Sequence, residues 1–296
     1  MCRLFGMSAG SERARATFWL LDAPDSLATQ SHREPDGTGL GWFEGDGAPH
    51  VSKQPIAAYD DAEFGRQARE VCSKTFLAHV RFATTGSHNL LNTHPFEQDG
   101  RLFAHNGVVE DLPALEAHLG GDSRLVKGDT DSERFFALIT REIAARDGDV
   151  NAGIETACTW VAANLRLVSI NFVLATANGL WALRYPETDT LYLLERAPRE
   201  PLEHASSLGS RVHSQEGVNR PLVVVASEPM DADPLWRELA SGELICVTDT
   251  LEVRTRQILD HPPARPHALD ESAPGAHASQ EPAANTPNGE PGRDSS

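Results

Sequence analysis

The chain has 296 residues, of which 40% are hydrophobic, and it carries a formal net charge of −17 at pH 7. This length exceeds the roughly 100–200 residues of an average domain, although one large α/β domain could include most of it. The composition argues against a nucleic-acid partner, which needs clustered Lys and Arg, and against a membrane helix, since no stretch reaches roughly 18 apolar residues.

The first third of the chain predicts short strands and helices in turn. A short strand is predicted over residues 40–43, after a glycine-rich bend that begins at Gly37. A short helix is expected after the N-cap candidates Asp25 and Ser26. The other predicted elements are strands over residues 2–7 and 76–82 and helices over residues 17–21 and 62–72.

The middle of the chain contains the strongest local signals. Asn106-Gly107 separates two apolar runs, residues 102–105 and 108–110, and Asn-Gly in such a setting predicts a β-hairpin. Residues 131–145 then predict a helix, because Thr130 and Glu133 have the spacing of a capping box. A meander of strands over residues 170–176, 180–185 and 191–195, with a turn at Asn178-Gly179, precedes strands 222–226 and 244–247.

Strands joined mostly by hairpins, with helices between the groups, predict an α+β fold of antiparallel-rich sheets covered by helices. The order of elements lacks the βαβ alternation of a dinucleotide-binding fold. Residues 261–296 are rich in Pro, Ala, Ser and Glu and contain little apolar surface to offset chain entropy, which predicts a disordered tail. We therefore expect the folded domain to span residues 2–260.

Other chemistries have weaker support in the sequence. Gly6-Met7-Ser8-Ala9-Gly10 matches G-x-S-x-G, but too little chain precedes it for the oxyanion loop of a serine hydrolase. The glycines from Gly37 to Gly41 do not form a G-x-G-x-x-G motif and are expected to permit a bend or a close backbone approach. No metal-binding spacing is found among the histidines of this region, which are His32, His79, His88, His94 and His105. We expect neither a metal nor another cofactor.

The four cysteines are scattered, without a C-x-x-C pair or a disulfide framework. The start of the chain also lacks the apolar segment and cleavage site of a secretory signal, so a cytoplasmic location is expected.

Cys2 differs from the other three cysteines by its position. When Met1 is removed, the thiol of Cys2 has an attached base, its own α-amine, with a reference pKa of about 7.7–8.0.

Three further pieces of sequence suit the chemistry of a nucleophile at Cys2. Arg81 closes an apolar run and offers a planar fork for a carboxylate. Asn106 and Gly107 supply an amide side chain and a backbone N–H that could stabilise an oxyanion. Asp131 could hold an ammonium group. Each residue alone has a simpler structural explanation, such as a salt bridge, a hairpin turn or a helix terminus. Together they fit one substrate, an α-amino acid with a γ-carbonyl, which is glutamine or a γ-glutamyl derivative.

These residues, in this order, resemble the class II glutamine amidotransferase domain of the N-terminal nucleophile hydrolases, over roughly residues 2–250. The motifs that carry the resemblance are Cys2 after Met1, Asp36-Gly37-Thr38-Gly39-Leu40-Gly41, His79-Val80-Arg81 with Thr84 and Gly86, Asn92-Thr93-His94-Pro95-Phe96, Ala104-His105-Asn106-Gly107 and Thr130-Asp131-Ser132-Glu133. The resemblance implies a four-layer αββα sandwich of two antiparallel sheets flanked by helices.

The resemblance also implies roles for the matching residues. Cys2 would be the nucleophile, Asn106 and Gly107 the oxyanion hole, Arg81 the group that binds the substrate carboxylate, and Asp131 the group that binds its α-amine. Thr84 would assist Arg81 at the carboxylate, and residues 93–96 would shape the pocket wall rather than react.

Family members that make a product usually carry a second catalytic domain, whereas here only the predicted tail follows. The chain therefore resembles the stand-alone group, which includes small bacterial amidotransferase-like proteins and the γ-glutamyl hydrolase of ergothioneine biosynthesis. A separate ammonia-accepting synthase is the partner that this arrangement would require, if ammonia is transferred. Two other classes stay open: a serine hydrolase that uses Ser8, and a non-catalytic protein that binds glutamine as a regulatory signal.

Overall fold

A computed structural model describes residues 2–82, 89–197, 202–205, 211–214 and 220–267. The α-helices in it are α1 (Leu27–Gln30), α2 (Ala62–Glu70), α3 (Leu112–Leu119), α4 (Asp131–Ala144) and α5 (Val150–Asn164). A π-helical turn spans Phe18–Asp22, and 3₁₀ segments span Leu90–Asn92 and Gly120–Leu125.

The strands of the first half are β1 (Arg3–Ser8), β2 (Gly37–Phe43), β3 (Pro49–Gln54), β4 (Thr75–Arg81), β5 (Phe96–Gln98) and β6 (Arg101–Val109). Those of the second half are β7 (Arg166–Thr176), β8 (Gly179–Arg184), β9 (Tyr192–Arg196), β10 (Leu202–Ala205), β11 (Arg211–Ser214), β12 (Leu222–Ala226), β13 (Arg237–Glu238), β14 (Glu243–Thr248), β15 (Val253–Gln257) and β16 (Arg265–Pro266).

Most of the described strands form two large sheets. The first sheet has the order β13-β9-β12-β1-β4-β2-β3, and β1 lies at its centre between β12 and β4. The second has the order β15-β14-β8-β7-β6-β5, and β16 adds to it in parallel with β7. All the other strand pairs in these sheets, as far as the structure describes them, are antiparallel.

Three apolar clusters define four layers. One cluster lies between the sheets, where Leu4 and Leu77 of the first sheet meet Ala104 and Val173 of the second. Another packs the outer face of the first sheet against the π-helical turn, α1 and α2. The third packs the outer face of the second sheet against α3, α4 and α5. The predicted αββα sandwich is thus confirmed. No helix within the described ranges combines the length and apolar character needed to cross a membrane.

Local sequence signals predicted some of these elements well. The helix expected over residues 131–145 is α4, and Thr130 caps it by accepting a hydrogen bond from the Glu133 amide at 3.2 Å. The Glu133 carboxylate instead accepts from the Gly128 amide at 2.6 Å, so only half of the predicted capping box forms. The hairpin around Asn178-Gly179 is the β7–β8 connection.

Other local predictions were wrong. Asn106-Gly107 does not form a hairpin, because β6 runs without interruption from Arg101 to Val109 and pairs with β7 on one side. The glycine-rich bend is also absent, since Gly37 already belongs to β2. The third strand of the predicted meander, now β9, lies in the first sheet and pairs with β12 instead of β8.

The described chain continues past residue 260, where we predicted the end of the folded domain. Arg265 and Pro266 pair with Arg166 and Leu167 of β7, and the His267 amide donates to the Leu167 carbonyl at 2.9 Å. The remainder of the predicted tail, residues 268–296, lies outside the described residues.

The glycines of β2 allow a close approach of the chain around the cis peptide His94–Pro95. A Cβ added at Gly39 would lie 1.9 Å from the His94 carbonyl oxygen. We therefore expect Gly39→Ala to destabilise the fold by about 1–3 kcal/mol, the usual cost of overpacking. Gly121→Ala is the matched control, because a Cβ there meets no atom within 4 Å. Urea denaturation measures both variants, and an equal free energy of unfolding for the two would contradict this packing.

Candidate active site

Cys2 and Arg81 lie together at one end of the first sheet. Arg3 pairs with Val80 across β1 and β4, so Cys2, which precedes β1, stands beside the end of β4. On the other side of β4, Gly37 pairs with Arg81. Side chains alternate along a strand, which puts Cys2 and Arg81 on the same face as Leu4 and Leu77, the face that meets the second sheet.

The backbone of Phe82 holds the Cys2 thiol. The Phe82 amide donates to Sγ at 3.3 Å, and the Phe82 carbonyl oxygen lies 3.4 Å from Sγ, where it can accept the thiol proton. Burial raises the pKa of the Cys2 thiol to about 11, although the Phe82 hydrogen bond and the charge of Arg81 lower it. A thiol with this pKa is protonated at neutral pH and needs a base to become a nucleophile.

Asn106 and Gly107 lie in the second half of β6, in the second sheet. The alternation that places Ala104 between the sheets also directs Asn106, which is buried, towards that layer. Gly107 cannot carry a side chain, because its Cβ would lie 1.9 Å from the Ser169 carbonyl oxygen. Sequence reasoning missed the support behind this strand: Ser169 Oγ donates to the Asn106 carbonyl at 3.3 Å and makes a very short hydrogen bond to Asp189.

Asp131 is buried at the first turn of α4. Its carboxylate accepts a hydrogen bond from the Val109 amide at 2.8 Å, which fixes it against the end of β6 that also carries Asn106 and Gly107. The start of a helix suits a carboxylate, because the exposed N–H groups give it a partial positive charge. Asp131, predicted to bind the ammonium group, therefore lies against the same end of β6 that carries the predicted oxyanion donors Asn106 and Gly107.

Three histidines of the sequence motifs are buried near this region. Burial lowers the pKa of His79 to about 3, and the charge of Arg81 lowers it further. Burial also lowers the pKa values of His94, whose ring stacks 4.2 Å from that of His79, and of His105. These rings are therefore neutral core groups. Within the ranges that the structure describes, no group of three or more His, Cys, Asp or Glu side chains is arranged to hold a metal ion.

The segment predicted to form a pocket wall packs on the glycines of β2. Thr93 is buried, and its methyl group would lie 3.3 Å from a Cβ at Gly37, the residue paired with Arg81. Lys53 secures this segment by donating to the Thr93 carbonyl at 2.6 Å and to the Pro95 carbonyl at 3.3 Å. Burial lowers the pKa of Lys53 to about 8.

The structure thus brings Cys2 and Arg81 together in the first sheet, and it brings Asp131 of α4 against the strand of the second sheet that carries Asn106 and Gly107. Thr84, expected to assist Arg81, lies outside the described residues.

Ser8 stands at the opposite end of β1 from Cys2. It is buried, and its hydroxyl accepts a hydrogen bond from the Gly10 amide at 3.3 Å. The position of Ser8 offers no support for a serine hydrolase.

Comparison with known sequences gives a match along nearly the whole described chain. Residues 1–269 match the family model of the class-II glutamine amidotransferases. A putative glutamine amidotransferase of Escherichia coli is 27% identical over 262 residues, and the match covers 83% of this chain and 98% of that protein. The γ-glutamyl-hercynylcysteine sulfoxide hydrolase of Mycobacterium tuberculosis is 29% identical over 84% of this chain and 93% of that protein.

Solved structures share the fold. A predicted glutamine amidotransferase from Pseudomonas aeruginosa superposes with a TM-score of 0.56 and 23% identity, over 85% of this chain and 99% of that one. The glutamine phosphoribosylpyrophosphate amidotransferase of B. subtilis superposes with a TM-score of 0.62 and 19% identity. The match covers 88% of this chain but half of the B. subtilis chain. At these identities the likeness concerns the fold alone.

Proposed function

Because the chain belongs to the class-II glutamine amidotransferases, we propose that it cleaves the γ-amide of glutamine or of a γ-glutamyl compound through a thioester on Cys2. The observation that carries the proposal is the half-buried Cys2 thiol, held by the Phe82 backbone beside Arg81. A cytoplasmic location and, for ammonia transfer, a separate synthase as partner belong to the same proposal.

The proposed reaction starts with recognition of the amino-acid head group. Arg81 binds the substrate carboxylate and Asp131 binds its α-ammonium group, so that the γ-carbonyl lies next to the Cys2 sulfur. The α-amine of Cys2, free after Met1 is removed, takes the thiol proton. The sulfur then attacks the γ-carbon, and the side chain of Asn106 and the amide of Gly107 stabilise the oxyanion that forms.

Collapse of the tetrahedral intermediate breaks the bond between the γ-carbon and nitrogen. The Cys2 ammonium group donates its proton to the departing nitrogen, which leaves as ammonia or as an amine. Water then attacks the γ-glutamyl thioester, with the amine again as base, and releases glutamate and the free thiol. Each proton that the amine accepts is returned in the next step, so the enzyme ends the cycle unchanged.

A second candidate substrate class comes from the relatives. The M. tuberculosis relative, similar along 93% of its length, is named as a hydrolase of a γ-glutamyl conjugate. We therefore include larger γ-glutamyl amides among the proposed substrates. The alternative of a non-catalytic glutamine-binding protein predicts binding without release of glutamate or ammonia.

The test is a screen of glutamine and a series of γ-glutamyl amides for release of glutamate, with ammonia or the free amine measured in parallel. We expect glutamate from at least one of these compounds and equal molar amounts of the second product. Binding of a compound without any release of glutamate would support the regulatory protein and contradict the proposed reaction.

A further inference from the structure

A buried guanidinium group holds the backbone of the nucleophile. Arg3 Nη1 lies 3.4 Å from the carbonyl oxygen of Cys2, to which it donates, and 3.2 Å from Oε1 of Glu34. The side chain of Glu34 is completely buried, and that of Arg3 is 5% exposed. One guanidinium nitrogen therefore joins the Glu34 carboxylate to the residue that carries the thiol.

The contact between Arg3 and Glu34 is part of a larger ion-pair network. Arg3 Nη2 lies 2.6 Å from Glu228, Glu228 lies 3.1 Å from Arg33, and Arg33 lies 3.6 Å from Asp25. The side chains of Glu228, Arg33 and Asp25 are between 21% and 33% exposed, so water reaches this part of the network. Water does not reach the Glu34 side chain at the other end. A buried charge is stable only when it is paired and hydrogen-bonded.

Among the described side chains of this network, carboxyl groups outnumber guanidinium groups. The network contains three carboxyl groups, of Asp25, Glu34 and Glu228, but two guanidinium groups, of Arg3 and Arg33. The α-ammonium group at the start of the chain is a third positive group, and its charge lowers the pKa of Glu34; removal of Met1 transfers this group to Cys2. This group belongs to the same residue whose carbonyl Arg3 contacts, at the buried end of the network.

We propose that Glu34, held in place by Arg3, binds the α-amine of Cys2 and is thus a positioning residue for the nucleophile and its base. This inference rests on the proposed function, in which that amine accepts the thiol proton. The Glu34 carboxylate would orient the ammonium group so that its remaining protons point towards the thiolate and the departing nitrogen.

Electrostatics give the proposal a measurable consequence. A nearby carboxylate favours the ammonium form and disfavours the thiolate, so it raises both the amine pKa and the thiol pKa. The charge of Glu34 indeed raises the pKa of the Cys2 thiol, while Arg81 lowers it. Burial raises the pKa of Glu34 itself to about 7, although the N-terminal ammonium, Arg3 and Arg33 lower it. Arg3 also influences Asp189, outside the network: burial raises the pKa of this carboxyl group, and the Ser169 hydrogen bond, the N-terminal ammonium, Arg3 and Arg184 lower it.

The experiment is the rate of Cys2 alkylation by iodoacetamide as a function of pH, measured on the chain after Met1 removal. In Glu34→Gln we expect alkylation to begin about one pH unit or more below the wild-type onset, because a charge that opposes thiolate formation is gone. Glutamate release by this variant should show a lower kcat at similar KM. An alkylation onset at the wild-type pH would overturn the proposal.

Glu228→Gln is the matched control. It removes a carboxylate from the other side of the same Arg3 guanidinium, in the part-exposed portion of the network. In Glu228→Gln, the pH at which Cys2 alkylation begins should stay within about 0.3 pH units of the wild-type value, since solvent screens the Glu228 charge. A shift as large as that in Glu34→Gln would overturn the specific role of Glu34.

Glu34→Asp keeps the negative charge but moves it one methylene further from Cys2, so Cys2 alkylation should begin at a pH between those of wild type and Glu34→Gln. This variant tests the proposal if Glu34→Gln does not fold. An onset in Glu34→Asp equal to that of wild type would also count against the proposal. Alkylation needs no turnover, so failure of the proposed function and failure of this inference are distinguishable.

Discussion

Replacement of Cys2 by Ala should reduce glutamate release by a factor on the order of 10⁴ or more, the usual consequence of deleting a catalytic nucleophile. Alanine is also small, so Met1 removal and the α-amine are preserved, and the variant lacks only the sulfur. Because Arg81 and Asp131 are unchanged, we expect the substrate to bind with a Kd within a few-fold of wild type. Steady-state assays and isothermal titration calorimetry measure the two properties.

Two controls make this result specific. Cys246→Ala removes a half-buried thiol from β14 and should leave glutamate release near the wild-type rate. Ser8→Ala tests the serine hydrolase alternative, which predicts that activity is lost in this variant and kept in Cys2→Ala. Retention of more than about a tenth of the wild-type rate by Cys2→Ala would be incompatible with a nucleophilic sulfur, given the size of the expected loss.

The second large effect is expected at Asn106. Asn106→Ala should lower kcat by about 10²–10³-fold, equivalent to about 2.7–4 kcal/mol of transition-state stabilisation, because one oxyanion donor is removed. The value of KM should change little, since the oxyanion exists only during the reaction. Asn106→Asp keeps the shape of the side chain but places a carboxylate near the oxyanion, so its kcat should be lower still.

Asn171 provides a matched comparison, because it pairs directly with Asn106 across β6 and β7. Its side chain is occupied by structural contacts: Nδ2 donates to the Asp189 carbonyl at 3.1 Å, and Oδ1 accepts from the Tyr185 amide at 2.8 Å. Asn171→Ala should therefore reduce the free energy of unfolding by about 1–3 kcal/mol. A loss of kcat in Asn171→Ala as large as that in Asn106→Ala would show that Asn106 has no special role in the reaction.

The layered fold could be predicted because its signals are local or belong to recognisable motifs. Apolar runs specified β4, β12 and β14, and the Thr130 cap specified the start of α4. The hairpin predicted at Asn106-Gly107 was wrong, because this dipeptide lies inside a strand. Gly107 allows the Ser169 carbonyl to approach the strand, and this tertiary contact overrides the preference of Asn-Gly for a turn.

Pairings between distant segments could not be predicted from local patterns. β9 follows β8 in sequence but lies in the other sheet, beside β12. β3 was missed because its sequence, Pro-His-Val-Ser-Lys-Gln, is polar and part-exposed at the edge of its sheet. No sequence motif singled out Arg3 or Glu34, because their burial depends on the packing of segments far apart along the chain. The site could be predicted as a set of residue types, but its supporting contacts could not.

The most direct test of the central claim is a mass measurement on the enzyme, quenched with acid during turnover of a substrate found in the screen and then digested. We predict a peptide that begins at Cys2, with no Met1, and that carries a γ-glutamyl group on the sulfur. The group should be absent from Cys2→Ala and should disappear from wild type when the substrate is exhausted. A fully active enzyme whose N-terminal peptide still contains Met1, or whose γ-glutamyl group lies on another residue, would contradict the account.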